Sequence, residues 1–390
     1  MKVLIIPAWY PSHDSPGEGV FIQQQAKALQ AAGHEVVVMY ADLKFSNWIK
    51  VFQGFLFRRS FKEEEGLSIL RLNGFLFPKS NPLIRPIWIC IYQSLFNFYH
   101  QKKGLPDVIH AHSFLAGIAA YDIAKPYNIP IVLTEHLSSL LDDSLKKKHV
   151  SSFKNILNKA DALVAVSKGL KTKMQTYTSQ EIKVIPNLVD TDFFSPLPKE
   201  AKRDDFTFIA IGSLIPRKGF DLLIQAFAKI KKTSDLKPRL IIIGDGREKS
   251  NLLKLIEKLG LKDKVNLTGH LSQEKVKDQL RRADVFVLSS HIETFGVVVI
   301  EAMAVGLPII ATRCIGTRDL INEKVGYYIE PNNIDELVHS MNRMIHDAVN
   351  FDQQFIRNRT IEKYGKEVVA KEITELYQSL VNRHQTKYEL

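Results

Sequence analysis

Two glutamates, Glu293 and Glu301, stand eight residues apart, and the residues around them give that spacing its chemistry. Ala283-Asp-Val-Phe-Val-Leu-Ser289 is a β-branched, apolar run that predicts a buried parallel strand. Val297 to Ala304 predicts the start of a helix, which Gly306-Leu-Pro308 stops, and Pro308-Ile-Ile-Ala311 opens the next strand. Glu293 therefore falls on a strand-to-helix loop. Glu301 lies inside the helix, roughly 12 Å away at about 1.5 Å per residue if the whole stretch is helical. Between them the backbone around Thr294, Phe295, Gly296 and Val297 forms a helix N-terminus, where anions are favoured. A carboxylate, an anion cradle and a second carboxylate in that order fit a nucleotide sugar. Glu293 would hold sugar hydroxyls, the N–H groups a diphosphate, and Glu301 the ribose hydroxyls. Taken alone the spacing reads as two solvated helix charges, so its surroundings decide.

Cations for a diphosphate stand earlier. The strand Phe206 to Ile211 runs into Gly212-Ser213-Leu-Ile-Pro-Arg217-Lys218-Gly219 and then a helix from Phe220 to Lys232. Lys218 offers phosphate a point charge and Arg217 a planar fork. A further strand, Arg239 to Ile243, ends in Gly244-Asp-Gly246. Near the start of the chain, Gly17-Glu-Gly19 precedes the first helix. This is less than the Gly-x-Gly-x-x-Gly of a dinucleotide-binding enzyme, so a nicotinamide dehydrogenase loses its main support.

The elements that position these residues form two series. Lys2 to Pro7, Val20 to Ala32 and Val36 to Tyr40 make a βαβ opening, which implies a parallel sheet. Asp107-Val-Ile-His110-Ala-His112, Ile129-Pro-Ile-Val-Leu-Thr134-Glu-His136 and Asp161-Ala-Leu-Val-Ala-Val-Ser167 continue it. His112, Thr134, His136 and Ser167 fall at strand carboxyl ends, where open α/β sheets bind ligands. A second series begins at Phe206. The sequence thus predicts an α/β protein with a first domain over 1–190, a linker over 191–205, and a second domain over 206–369. A final helix, 370–390, completes the first domain.

The 390 residues are 45% hydrophobic and 24% charged, as in a soluble globular protein. The net charge of +11 favours anionic partners. No motif for reading nucleic acid accompanies it. Two cysteines, Cys90 and Cys314, fall in different predicted domains, which fits a reducing cytoplasm rather than a disulfide framework. Met1 to Pro7 is too short for a signal peptide and reads as a core strand. Lys44 to Lys62 mixes aromatics (Trp48, Phe52, Phe55, Phe57) with basic residues (Lys44, Lys50, Arg58, Arg59, Lys62), and Ile87 to Tyr99 is apolar. Residues 44–100 are read either as an insertion and a helix covering the sheet, or as a surface that docks on anionic lipid at the inner leaflet. Asp190-x-Asp192 is the spacing of a metal-binding pair, but turn and capping roles fit a linker better, and no metal site is expected.

Taken together, the chain resembles the retaining family-4 glycosyltransferases over nearly its whole length. The resemblance rests on the opening Gly loop, His110-Ala-His112, Thr134-x-His136 and Ile185-Pro-Asn-x-Val-Asp190. It rests further on Gly212-x-Leu-x-x-x-Lys218-Gly219, Gly244-x-Gly246 and Glu293-x7-Glu301. It implies a GT-B fold: two Rossmann-like domains facing a cleft, with a C-terminal helix crossing back to the first. It also implies a nucleotide-diphosphate sugar as co-substrate, a UDP-sugar being favoured, with no further cofactor and no metal. By the same resemblance Lys218 neutralises the diphosphate, Gly17 or Gly19 approaches it, and His112 is an active-site residue. His136 and Thr134 lie on the acceptor side. The family often carries Arg where this chain has Ser213, and Arg217 is the substitute at hand. The implied activity is transfer of a hexose or N-acetylhexosamine to a glycan or lipid-linked acceptor, in cell-surface polysaccharide or glycoconjugate synthesis. A same-fold epimerase and a non-catalytic nucleotide-sugar binding protein are the competing readings.

Overall fold

The computed structural model describes residues 1–12, 15–45, 58–76, 84–197, 205–231 and 237–386. They divide into two compact units. The first comprises Met1–Val166, Lys171–Pro186 and Val369–Leu390; the second comprises Ser167–Leu170 and Asn187–Val368. Residues 187–190 thus belong with the second unit, although the sequence pattern assigns them to the first domain. The described part of the expected linker, 191–197, belongs there too.

The first unit is built on β1 (Lys2–Pro7), β2 (Glu35–Phe45), β3 (Arg58–Glu64), β4 (Leu67–Leu76), β5 (Val108–His112), β6 (Ile131–Glu135), β7 (Ala162–Ala165) and β8 (Ile182–Val184). Their order is β3-β4-β2-β1-β5-β6-β7-β8, and all neighbours are parallel except β3 and β4. The helices of the first half are α1 (Val20–Ala31), α2 (Ile84–Lys103), α3 (Phe114–Ala124), α4 (Lys147–Leu157) and α5 (Lys168–Met174). Every residue of β5 and β6 is buried, as expected of strands covered on both faces. The chain runs from β1 outward to β2 on one side and later to β5 on the other. The topological switch therefore lies between β1 and β5, and the loops after those strands flank it.

Trp48, Lys50, Phe52, Phe55 and Phe57 lie outside the described residues. The expectation of one insertion from Lys44 to Lys62 is corrected at both ends: Lys44 lies within β2, and Arg58, Arg59 and Lys62 belong to β3. There the Arg59 guanidinium lies 3.8 Å from the Phe98 ring centroid, and Lys62 pairs with Glu64 at 3.4 Å. β3 is an edge strand, and charges there discourage pairing with another chain. Among the described residues no helix is long and apolar enough to cross a membrane.

The second unit carries β9 (Asp205–Ile211), β10 (Lys237–Ile243), β11 (Val265–Gly269), β12 (Val285–Leu288), β13 (Ile309–Thr312) and β14 (Gly326–Ile329). They form an all-parallel sheet in the order β11-β10-β9-β12-β13-β14. Its helices are α6 (Phe220–Ala228), α7 (Lys249–Lys258), α8 (Gln273–Arg282), α9 (Val297–Val305), α10 (Ile334–Asp347) and α11 (Gln353–Tyr364). The last helix, α12 (Lys366–Thr386), crosses from the second unit into the first at Val369. Phe208, Leu223, Ile224, Leu240, Ile242, Val285 and Met341 are all fully buried in the core of the second unit. Here the switch falls between β9 and β12, so the loop carrying Lys218 and the loop carrying Glu293 are neighbours.

Segment 187–197 is fastened within the second unit by Arg357, Lys366 and Arg281, the last donating to the Ser195 carbonyl at 2.6 Å and hydroxyl at 2.9 Å. Arg357 donates to the carbonyls of Thr191 (2.8 Å), Phe194 (3.0 Å) and Ala304 (2.6 Å), the last in the closing turn of α9. Lys366 bridges Asp190 at 2.9 Å and Asp192 at 2.7 Å, while Asp190 also accepts the N–H groups of Asp192 and Phe193. A lysine ammonium thus occupies the position between the two aspartates. Replacing Arg357 with Met keeps the aliphatic stem but leaves three carbonyls without their donor. Urea unfolding of Arg357→Met should show a loss of about 2–4 kcal/mol.

Candidate functional site

The donor-side candidates converge through contacts between two loops. The backbone N–H of His291 donates to the Arg217 carbonyl at 2.8 Å, and Ser289 Oγ donates to the Lys218 carbonyl at 2.9 Å. Gly219 adopts φ 62°, and a Cβ there would lie 2.3 Å from the Ser289 carbonyl oxygen. The loop after β9 thus lies directly on the loop after β12. Lys218 Nζ meets Glu293 Oε1 at 2.5 Å, and Ser290 Oγ donates to the same carboxylate oxygen at 2.8 Å. On the other side, Gly316 N–H donates to the Glu293 carbonyl at 3.1 Å, and a Cβ on Gly316 would lie 2.2 Å from that oxygen.

Gly296, at φ 95°, opens α9 with no side-chain cap. Gly306 closes the helix at φ 90°. Val297 is half-buried and Thr294 likewise, whereas Phe295 is buried with its ring against Tyr364. Ser213 and Arg217 are exposed. A Cβ on Gly244 would meet the Gly212 carbonyl at 1.9 Å, so its small size is required by chain packing. Glu301 is as buried as Glu293 but stands inside α9, and among the described residues nothing pairs with it. Burial pushes its carboxyl up to about 8.

In the first unit three imidazoles stack at the carboxyl ends of β5 and β6. The rings of His110 and His112 lie 4.3 Å apart, and those of His112 and His136 5.3 Å apart. His112 Nδ1 and His136 Nε2 share a hydrogen bond of 3.0 Å, with one of the two carrying the proton. Burial lowers all three, His110 and His136 to about 3, so they are neutral near pH 7. His112 Nε2 is buried and has no partner. Thr134 is engaged by His110 Nε2 at 2.7 Å, and His110 Nδ1 meets the Tyr377 hydroxyl of α12 at 2.5 Å.

Gly19 caps α1 at φ 69°, and a Cβ there would strike the Trp9 carbonyl oxygen at 2.5 Å; Gly17 is exposed in the preceding turn. Sequence reasoning missed His110, Tyr377 and Glu135. Strand alternation was the available signal for His110, since it shares a face with His112. Glu135 has no such signal. It is fully buried and accepts the N–H groups of Phe114 (3.0 Å), His136 (2.8 Å) and Leu137 (3.0 Å), tying the ends of β5 and β6 together. Burial raises it to about 7 against those hydrogen bonds. Among the described residues no group of three or more His, Cys, Asp or Glu could hold a metal ion.

Two family models cover the chain in sequence. Residues 17–193 match Glycosyltransferase Family 4, and residues 195–362 match Glycosyl transferases group 1. The chain belongs to glycosyltransferase family 4. This family-4 chain is 26% identical over 373 residues to TuaC of Bacillus subtilis, a candidate teichuronic acid biosynthesis glycosyltransferase; 90% of each chain is covered. It is 27% identical over 288 residues to the GPI3 subunit of phosphatidylinositol N-acetylglucosaminyltransferase of Saccharomyces cerevisiae, covering 66% of this chain and 63% of that one. Among solved structures, Anabaena HepE in complex with UDP and glucose has a TM-score of 0.74 at 19% identity, over 97% of this chain and 100% of that one. The two parallel-sheet units are accordingly a GT-B fold.

The buried Glu301 gives a pH signature. Its folded value of about 8 lies above the 4.5 of a free carboxyl. Between those values the folded chain holds a proton that the unfolded chain has released, so stability falls as pH rises. Glu301→Gln removes this dependence. Its unfolding free energy should equal that of the wild type near pH 4.5 and exceed it increasingly towards pH 8, by up to about 4 kcal/mol, as read by urea unfolding across that range.

Proposed function

We propose that this glycosyltransferase moves a hexose or N-acetylhexosamine from a nucleotide-diphosphate sugar, a UDP-sugar being favoured, to a glycan or lipid-linked acceptor with retention of configuration. The observation that carries the reading is the Lys218–Glu293 pair at the head of α9, with the unpaired carboxyl of Glu301 buried inside the same helix. Glu293 receives donor-sugar hydroxyls. The uncapped N-terminus of α9 and Lys218, which exchanges part of its contact with Glu293 for phosphate, receive the diphosphate. Arg217 is the second cation. Ribose hydroxyls donate to Glu301, supplying the hydrogen bonds that burial denies it. HepE, with UDP and glucose bound, and the phosphatidylinositol acceptor named for the GPI3 enzyme support these choices of donor and acceptor.

In the transfer, the bond from the anomeric carbon to the β-phosphate oxygen breaks and the electron pair stays on the diphosphate. Lys218, Arg217 and the helix N–H groups stabilise that growing charge, so no divalent ion is required and no cofactor takes part. The acceptor oxygen bonds to the anomeric carbon on the same face, and its proton passes to the leaving phosphate oxygen. His112, neutral and with Nε2 unpaired, positions a hydroxyl by hydrogen bonding rather than acting as a nucleophile.

Donor binding is tested by thermal shift with UDP-, GDP- and ADP-sugars in EDTA. The matching donor should raise the melting temperature, and its transfer should persist in EDTA. Calorimetry of the same donor in two buffers of different ionisation enthalpy should show proton release at pH 7 that Glu301→Gln abolishes. Binding without proton release would remove Glu301 from the ribose site. Lys218→Ala should lower kcat at least tenfold, because leaving-group charge is greatest in the transition state. Unchanged kcat would remove Lys218 from the chemistry.

A further inference from the structure

The loop after β6 ends in Lys146-Lys147-Lys148, which opens α4. All three lysines are exposed, and among the described residues none of their ammonium groups has a partner. The first turn holds no acidic residue and the helix has no side-chain cap. Cations at that end oppose the helix dipole, so fold stability alone does not account for them. The carboxylates of the same loop are already engaged. Asp143 pairs with Lys173 at 2.6 Å, and Asp142 accepts from the N–H and hydroxyl of Ser144 at 3.1 and 2.5 Å.

Topology fixes where the cluster lies. α4 connects β6 to its parallel neighbour β7, so its N-terminus sits at the carboxyl edge of the sheet. Thr134, His136 and, on adjoining β5, His112 occupy that same edge. The next residue of α4, His149, has its ring 6.1 Å from that of Phe114, just past the end of β5. Burial and the charges of Lys148 and Lys146 lower His149, which adds no positive charge near neutral pH. The same edge of the sheet thus presents three unpaired ammonium groups and, at the end of β5, a buried imidazole nitrogen without a partner.

We propose that Lys146, Lys147 and Lys148 form part of the acceptor subsite and that the acceptor carries a phosphoryl group. This rests on the glycosyl-transfer reading above and narrows its acceptor from any glycan to an anionic one. A phosphoryl group brings up to two charges and several acceptor oxygens, enough for more than one ammonium at once; a neutral glycan offers hydroxyls alone. A free sugar phosphate and the head group of a phospholipid-linked sugar present the same chemistry.

The test titrates the full chain with glucose 1-phosphate and with methyl glucoside. A second protein carries Lys146→Gln, Lys147→Gln and Lys148→Gln together. Both proteins are also prepared with Lys218→Ala, so that phosphate binding at the donor site does not contribute. Glucose 1-phosphate should bind at least tenfold more tightly than methyl glucoside, and the three substitutions should erase that margin while leaving the melting temperature and the affinity for UDP unchanged. Equal binding of the two ligands, or a margin that survives the substitutions, overturns the proposal. Flotation on phosphatidylcholine vesicles with and without phosphatidic acid separates the sources. Lysine-dependent binding to both glucose 1-phosphate and phosphatidic acid supports a lipid-borne phosphate, and binding to glucose 1-phosphate alone supports a soluble one. Vesicle binding without glucose 1-phosphate binding makes the cluster a membrane contact and overturns its place in the acceptor site. Failure of the wild type to bind any nucleotide would count against the donor reading and leave the sugar-phosphate comparison legible.

Discussion

The meeting of Lys218 and Glu293 depends on the Ser289 carbonyl coming into contact with a residue that has no side chain. At Gly219 any Cβ would lie 2.3 Å from that oxygen. Because the contact is allowed, the loops after β9 and β12 are joined by their backbones, and Lys218 and Glu293 meet without either side chain having to search for the other. Gly316 does the same from the opposite side, with its own close approach to the Glu293 carbonyl. Glu293 is thus held at its carbonyl by Gly316 and at its carboxylate by Lys218 and Ser290. A site held in this way loses little entropy when a ligand arrives.

Pairing then sorts the ionisable groups into two kinds. Lys218 and Glu293 are paired with each other. Glu301 and the stacked His110, His112 and His136 have no such partners, and desolvation holds them neutral near pH 7. A neutral imidazole still accepts or donates one hydrogen bond, and a neutral carboxyl can regain its charge when hydroxyls reach it. The two units therefore supply different chemistry from similar strand-end positions. At the strand ends themselves, the second unit carries an ion pair and the first a stack of imidazoles.

Much of this was legible in the sequence because it is local. The apolar runs of β9 and β12, the helix opening at Val297 and its end at Gly306 follow from periodicity and from glycine's tolerance of positive φ. What was hidden depends on residues far apart in the chain. His110 meets Tyr377 across 267 positions and Lys366 meets Asp190 across 176, and no pattern within a window of ordinary length encodes either pairing. Glu135 was hidden for another reason: a carboxylate at a strand end reads as solvated, and only its three backbone donors reveal that it is enclosed. The β3–β4 hairpin escaped detection because an edge strand dense in charge lacks the apolar alternation by which strands are recognised.

The two cysteines have opposite fates as reagents. Cys314 is buried, its thiol donates to the Ser290 carbonyl at 3.0 Å, and desolvation pushes it up to about 11. Almost none of it is thiolate near neutral pH, and burial shields it from an electrophile. Cys90 sits exposed on α2 in the first unit. A maleimide dye applied to the native protein will therefore mark one unit and leave the other unmodified. The natural sequence is in that sense already a single-site labelling substrate, needing no cysteine to be removed before a fluorophore reports on the first unit alone.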